Sequence, residues 1–149
     1  MISRLAPLAL LAVLAAFAPR VGAEEPASVL EFLTTTRNTD GLVRCGLFTE
    51  SGWLKTPVQA SVAPIRASVP PTRGGTALCV FKGIPKGVYG ISAFHDENVN
   101  GKLDTNIIGL PTEDYCASRD ARGSFGPPSF SDAKFRYTGG AKRVSARMK

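Results

Sequence analysis

Residues 76–95 read TALCVFKGIPKGVYGISAFH, and this stretch decides the fold. Thr76 to Phe81 and Val88 to His95 are short runs rich in β-branched, aromatic and other apolar residues, with Gly83-Ile84-Pro85-Lys86-Gly87 between them. Proline pre-sets one backbone angle and glycine accepts left-handed ones, so this pattern predicts two strands joined by a chain reversal. An apolar residue, a Pro-x-Gly turn and a tyrosine two residues on (Ile84, Pro85 to Gly87, Tyr89) recur where two strands of a sandwich meet.

The pattern extends in both directions. Upstream, Ser28 to Thr36 (SVLEFLTTT) sets Leu30 and Phe32 on one face, and Asn38-Thr39-Asp40-Gly41 forms a turn cluster. Leu42 to Phe48 (LVRCGLF) follows, with Val43, Cys45 and Leu47 inward by the two-residue period of a strand. Thr49 to Thr56 reads as a loop in which Trp53 caps the core. Val58 to Val69 alternates twice, and Pro64 marks an edge strand or a break, because proline cannot donate to a ladder. Pro70 to Gly75 is a turn. Downstream, Ala133 to Tyr137 and Lys142 to Met148 are expected as strands joined in a hairpin at Thr138-Gly139-Gly140. Helical periodicity is missing throughout. The expected fold is all-β, an antiparallel β-sandwich of about seven strands.

Residues 1–23 carry a different signal. Arg4, the apolar run from Leu5 to Phe17 and the small-residue end Val21-Gly22-Ala23 have the pattern of a secretory signal peptide. The run is too short for a permanent span of a ~30 Å hydrocarbon layer. The reading is therefore an exported chain, periplasmic or secreted, with one domain over residues 24–149 and no transmembrane segment. Without Arg4 and Arg20 the formal net charge falls from +6 to +4, too little to argue for nucleic acid.

Cys45, Cys79 and Cys116 make an odd count for an oxidising compartment. Cys45 and Cys79 lie in strand-like segments and form the expected disulfide. Closing a ~35-residue loop would contribute about 3–4 kcal/mol on the chain-entropy account. Cys116 is left over in a loop, as a free thiol, a link to another chain, or a tolerated substitution.

From Asp96 to about Ser131 no strand or helix is expected. Structureless loops beyond ~12–15 residues are uncommon in compact domains and tend to be functional. Ile107, Ile108, Leu110, Tyr115, Phe125 and Phe130 are too many apolar groups for a solvated linker, so something must fold this loop onto the body. Its start, HDENVNGKLDT at 95–105, offers a means. Asp96, Asn98, Asn100 and Asp104 fall at positions 1, 3, 5 and 9 of a calcium loop, Gly101 at the bend, and Lys102 where a backbone carbonyl is used. Position 12, a bidentate Glu in an EF-hand, is Ile107; Glu97, Glu113 or Asp114 would have to supply a further carboxylate. The competing reading is an Asx-rich turn, its side chains bonding their own backbone. Calcium binding, if present, is expected to be weak, and the oxygen-rich set does not suit zinc.

His95 is the sole histidine. Beside Asp96, Glu97 and Glu113 it allows a small envelope hydrolase with His95 as base, against a plain structural role at a strand end. A nucleophile elbow, a phosphate-cradling glycine loop and HExxH are all missing. Lys134, Arg136, Lys142, Arg143, Arg147 and Lys149 make the C-terminal strands basic; this face would suit an anionic envelope polymer or lipid, or merely blunt an edge.

Three motifs then line up: HDENVNGKLDTN at 95–106, GLPTE at 109–113 and GPPSF at 126–130. In these the chain resembles a bacterial exported family, domain of unknown function 2141. The resemblance implies an export signal and a β-sandwich of immunoglobulin-like or transthyretin-like kind, and it implies no activity. One departure is Cys116-Ala117-Ser118, where the family usually has Gly-Phe-Ser. The expected function is a non-enzymatic envelope domain. Its calcium-ordered loop, shaped by Gly101, Pro111, Phe125, Gly126, Pro127, Pro128 and Phe130, would serve structure or binding; the hydrolase is the alternative.

Overall fold

The structure, a computed structural model, describes residues 27–68 and 74–149. The export signal read over residues 1–23 and most of the turn at 70–75 lie outside them. Eight strands make up the domain: β1 (Val29–Thr36), β2 (Leu42–Phe48), β3 (Gln59–Ala67), β4 (Gly75–Lys82), β5 (Gly87–Asp96), β6 (Tyr115–Ala117), β7 (Phe135–Tyr137) and β8 (Ala141–Arg147). Among the described residues helix is confined to two 3-10 turns, Glu50–Gly52 and Ser118–Asp120, and one α-turn, Phe130–Ala133 (α1). The all-β expectation is met.

The strands form one path, β6-β5-β2-β3-β4-β1-β8, with β7 also on β5. Its two ends approach each other, since Tyr115 and Lys149 exchange both backbone hydrogen bonds at 3.3 Å. The sheet is thus nearly closed into a barrel. Strand β3 makes the corner. Its residues from Gln59 to Pro64 pair with β2 and those from Ile65 to Ala67 with β4, so Pro64 sits where the partner changes. A residue without an N–H loses least there. Where the β3–β4 ladder is open, side chains fill in: Ser61 Oγ accepts the Val80 N–H at 3.1 Å and Gln59 Oε1 that of Lys82 at 3.1 Å.

Alternation places the core. Leu30 and Phe32 from β1, Val43 and Leu47 from β2, Phe81 from β4 and Ile91 from β5 are all fully buried. The Cys45–Cys79 disulfide joins β2 to β4 through this core, as expected. Tyr137 is buried too, its hydroxyl hydrogen-bonded with Ser28 and Gly140.

Three expectations need correction. The predicted C-terminal hairpin does not form: β7 pairs antiparallel with β5, whereas β8 crosses the domain and pairs in parallel with β1, Val29 opposite Ala141. The sheet is therefore not wholly antiparallel. The 96–131 segment is not structureless either. Tyr115 to Ala117 pair with Phe94 to Ser92, and the Ser118 hydroxyl accepts the Ile91 N–H at 3.0 Å while donating to the Ala133 carbonyl at 2.6 Å. One serine thus bridges the gap on β5 between β6 and β7. Cys116 lies in this strand, buried in the core against Thr34, rather than in a tolerant loop.

Candidate functional site

The polar loop begins where β5 ends. Asp96 is fully buried at that end; its Oδ1 accepts the Asn100 N–H at 2.9 Å and its Oδ2 the Gly101 N–H at 2.9 Å, with Arg44 Nε of β2 also on Oδ2. Burial alone would raise this carboxyl's pKa. The hydrogen bonds from Arg44, Gly101 and Asn100, with the Arg44 charge, outweigh it and hold the group below its usual range. The same bonds fix a strained turn: Val99, a β-branched residue, is left-handed at φ 59° ahead of Gly101 at 82°. On the inner side, a Cβ at Gly41 would lie 2.0 Å from the Asp96 carbonyl oxygen, so the β1–β2 turn can press on the loop only as glycine.

The remaining loop donors converge on Asp104. Asn98 Nδ2 donates to its Oδ2 at 2.6 Å and Asn100 Nδ2 to its Oδ1 at 2.8 Å, while Asn100 Oδ1 accepts the Lys102 N–H. Glu113, nearly buried, closes the loop: its Oε1 accepts the Glu97 N–H at 2.8 Å and its Oε2 the Asp104 N–H at 3.0 Å. Glu97 and Asp114 turn instead to Arg37, and Glu97 also accepts from Asn38. Of the possible extra carboxylates, then, Glu113 is committed to backbone amides and the other two to a cation. Among the described residues no three His, Cys, Asp or Glu side chains gather as a metal site, so an ion here would draw on the asparagine amides.

His95 is fully buried on the inward face of β5, and its Nε2 lies 2.6 Å from the Asp40 carbonyl oxygen. It does not face solvent.

A second loop stands across from the first. Phe130 and Phe48 flank Trp53 edge-on at 5.6 and 5.5 Å, and the Trp53 indole N–H donates to the Pro128 carbonyl at 2.8 Å. Trp53 can lie so close because β5 has Gly90 beneath it, where a Cβ would meet the indole at 2.6 Å. This aromatic pier holds Gly126-Pro127-Pro128 upright.

Between the loops runs a groove of about 1010 Å³ over the outer face of β2, β3 and β5. Its floor carries Gly46, Ala60 and Ser92, and its walls include Leu103, Leu110 and Pro111 from one loop and Phe125, Pro127 and Pro128 from the other. Among the described residues Arg44 is the one charged residue that lines it. Of the six apolar residues expected to pack the loop down, Phe130 is buried and Tyr115 half-buried, whereas Ile107 and Phe125 are fully exposed and Ile108 and Leu110 mostly so. Sequence reading missed the groove and Arg44. The available signal was a lone arginine in an otherwise apolar strand.

The basic strands are partly self-paired. Arg143 pairs with Glu31, and Lys142 lies 5.8 Å over the Phe135 ring. Arg122, Arg147 and Lys149 line a second cleft of about 570 Å³ with Asp120. No helix among the described residues is long and apolar enough to cross a membrane.

Fold and site together define a small all-β domain with a walled apolar groove beside a braced polar loop. Residues 33–145 match the family described as "Uncharacterized protein conserved in bacteria (DUF2141)", and the chain belongs to it. No curated protein and no solved structure matches.

Proposed function

We propose that this is an exported binding domain of the bacterial cell envelope, periplasmic or secreted and non-enzymatic, which holds an apolar ligand in the groove between its two loops. One observation carries the reading: two loops braced by unrelated devices, Glu113 for one and Trp53 for the other, wall the same apolar space. Architecturally it is a sandwich that turns its corner at Pro64, with the Cys45–Cys79 bridge between its halves. That bridge suits an oxidising compartment. The hydrolase alternative lacks support, since its base would be a histidine sealed from solvent.

Calcium belongs to this reading as a stiffener of one wall. Asn98 and Asn100 already converge on the Asp104 carboxylate, and a half-turn of each amide would bring in its oxygen in exchange for the N–H bonds those oxygens now accept from Asn100 and Lys102. Asp96, which keeps Arg44 as its partner, would add a donor beside an existing positive charge, which argues for a weak site. Lys102 would complete the set through its carbonyl. The Arg143, Arg147 and Lys149 face is a secondary surface for an anionic polymer or lipid.

Two measurements test this. A naphthalene-sulfonate dye should brighten on the native protein and lose that response in Ala60→Phe, which fills the floor; an unchanged response would remove the groove from the proposal. Millimolar calcium should raise the melting temperature over that in chelator, and Asp104→Ala should abolish the rise; coincident wild-type melts would remove the ion.

A further inference from the structure

Building on the binding-domain reading, we infer that the groove takes a single acyl chain with an anionic head, the chain lying along β2 and the head at Arg44.

The backbone of the floor excludes the obvious competitor. β2 is paired with β5 from Leu42 to Phe48 and with β3 from Leu42 to Leu47. Strand β2 has no free edge of its own, so an extended peptide laid along it could not add itself as a strand and would leave its own amides unpaired against apolar walls. An acyl chain has no amide to satisfy. The floor suits it: Ala60 and Ser92 project little and Gly46 admits the Phe48 ring, while Leu54, Pro57 and Phe125 rise beside them. The Phe48 ring lies against Gly46 and closes the channel there, so the groove's volume of about 1010 Å³, rather than its length along β2, is what leaves room for a medium-length chain.

The ends of the groove differ in charge. Phe48, Pro127 and Pro128 close one with apolar surface, whereas Arg44 stands at the other beside Gly101 and Leu103. Arg44 spends its Nε on Asp96, which orients the guanidinium, and among the described residues no protein acceptor pairs with its two terminal nitrogens. Its side chain is 30% exposed. A planar fork with two unused donors at the end of an apolar channel matches a carboxylate or phosphate head.

The test uses the full mature chain and three probes of equal chain length, dodecanoate, dodecanol and dodecyltrimethylammonium, each below its micelle-forming concentration. Binding is read by the fluorescence of Trp53, the sole tryptophan, and by titration calorimetry. Dodecanoate should bind saturably and roughly tenfold more tightly than dodecanol, with the cationic probe weakest. Arg44→Gln, with a cooperative melt showing that it folds, should bind dodecanoate no more tightly than it binds dodecanol; a tenfold preference kept by this variant would overturn the role of Arg44. Equal wild-type affinity for all three would overturn the anionic head while leaving an apolar groove. Failure of all three to bind, in a protein that melts cooperatively, would overturn the groove reading as well. Tighter binding of a capped apolar peptide than of dodecanoate would overturn the acyl chain.

Discussion

Glu113 holds the Asp104 amide at 3.0 Å from a carboxylate that is nearly buried, and its other oxygen holds Glu97. A single side chain thus ties the two ends of the polar loop. Truncation would strand two N–H donors and open the loop. Glu113→Ala should cost about 2–4 kcal/mol in chemical denaturation, and Glu113→Gln, which keeps one acceptor, less. Limited proteolysis should move to residues 97–104 in the alanine variant; wild-type resistance there would show that the loop is held by other means.

Asp96 gives an acid-side prediction. Its pKa in the fold lies below the usual 3.8, so the unfolded chain takes up the proton first as pH falls. Its contribution to stability is therefore complete at neutral pH and is lost below about pH 4. Asp96→Asn should be less stable at pH 7 and should show a shallower loss between pH 4 and 2. Denaturant midpoints across that range check it, and parallel acid limbs would contradict it.

Cys116 gives the alkaline counterpart. Burial pushes its thiol up to about 11, against small opposing effects of Thr34 and Arg122. The raised value means that stability holds below the unfolded thiol's pKa and declines as pH climbs toward 11. The native protein should resist an aromatic disulfide reagent at pH 8 and react with one equivalent per chain once unfolded. Cys116→Ala should flatten the alkaline limb. Rapid native labelling would refute the buried placement.

Trp53→Phe keeps the ring stack but removes the donor to Pro128. The expected loss is about 1 kcal/mol, with faster amide exchange confined to residues 123–130. Uniform exchange across the domain would mean that the pier supports more than its own loop.

Much of the fold was legible because β1, β2, β4 and β5 each carry a two-residue alternation long enough to fix both strand and face; Leu30, Phe32, Val43 and Leu47 lie inward as read, whereas at β3 and just before it the alternating Val58, Ala60 and Val62 lie exposed. Tyr115 to Ala117 was not, since three residues show no period and their pairing depends on β5. The C-terminal strands were seen as strands but misjoined: Gly139 and Gly140 suit a tight turn, yet Phe135 and Val144 find their partners on β5 and β1. Asp96, Asn98, Asn100 and Asp104 stood out by their spacing, and the structure bonds them to one another and to the loop's backbone amides. The groove was not legible, because it is made of what Ala60 and Ser92 lack, and sequence advertises side chains better than the room they leave.

The parallel pairing of Val29 with Ala141 bears on the order of assembly. A chain emerging from its N-terminal end can seat one side of its first described strand on β4, but the other side stays open until the last strand arrives, more than a hundred residues later. Such distant pairings are slow to form, and strands waiting for them remain open to wrong neighbours. Truncating β8 should therefore leave β1 half-covered and prone to aggregate rather than trim a dispensable tail.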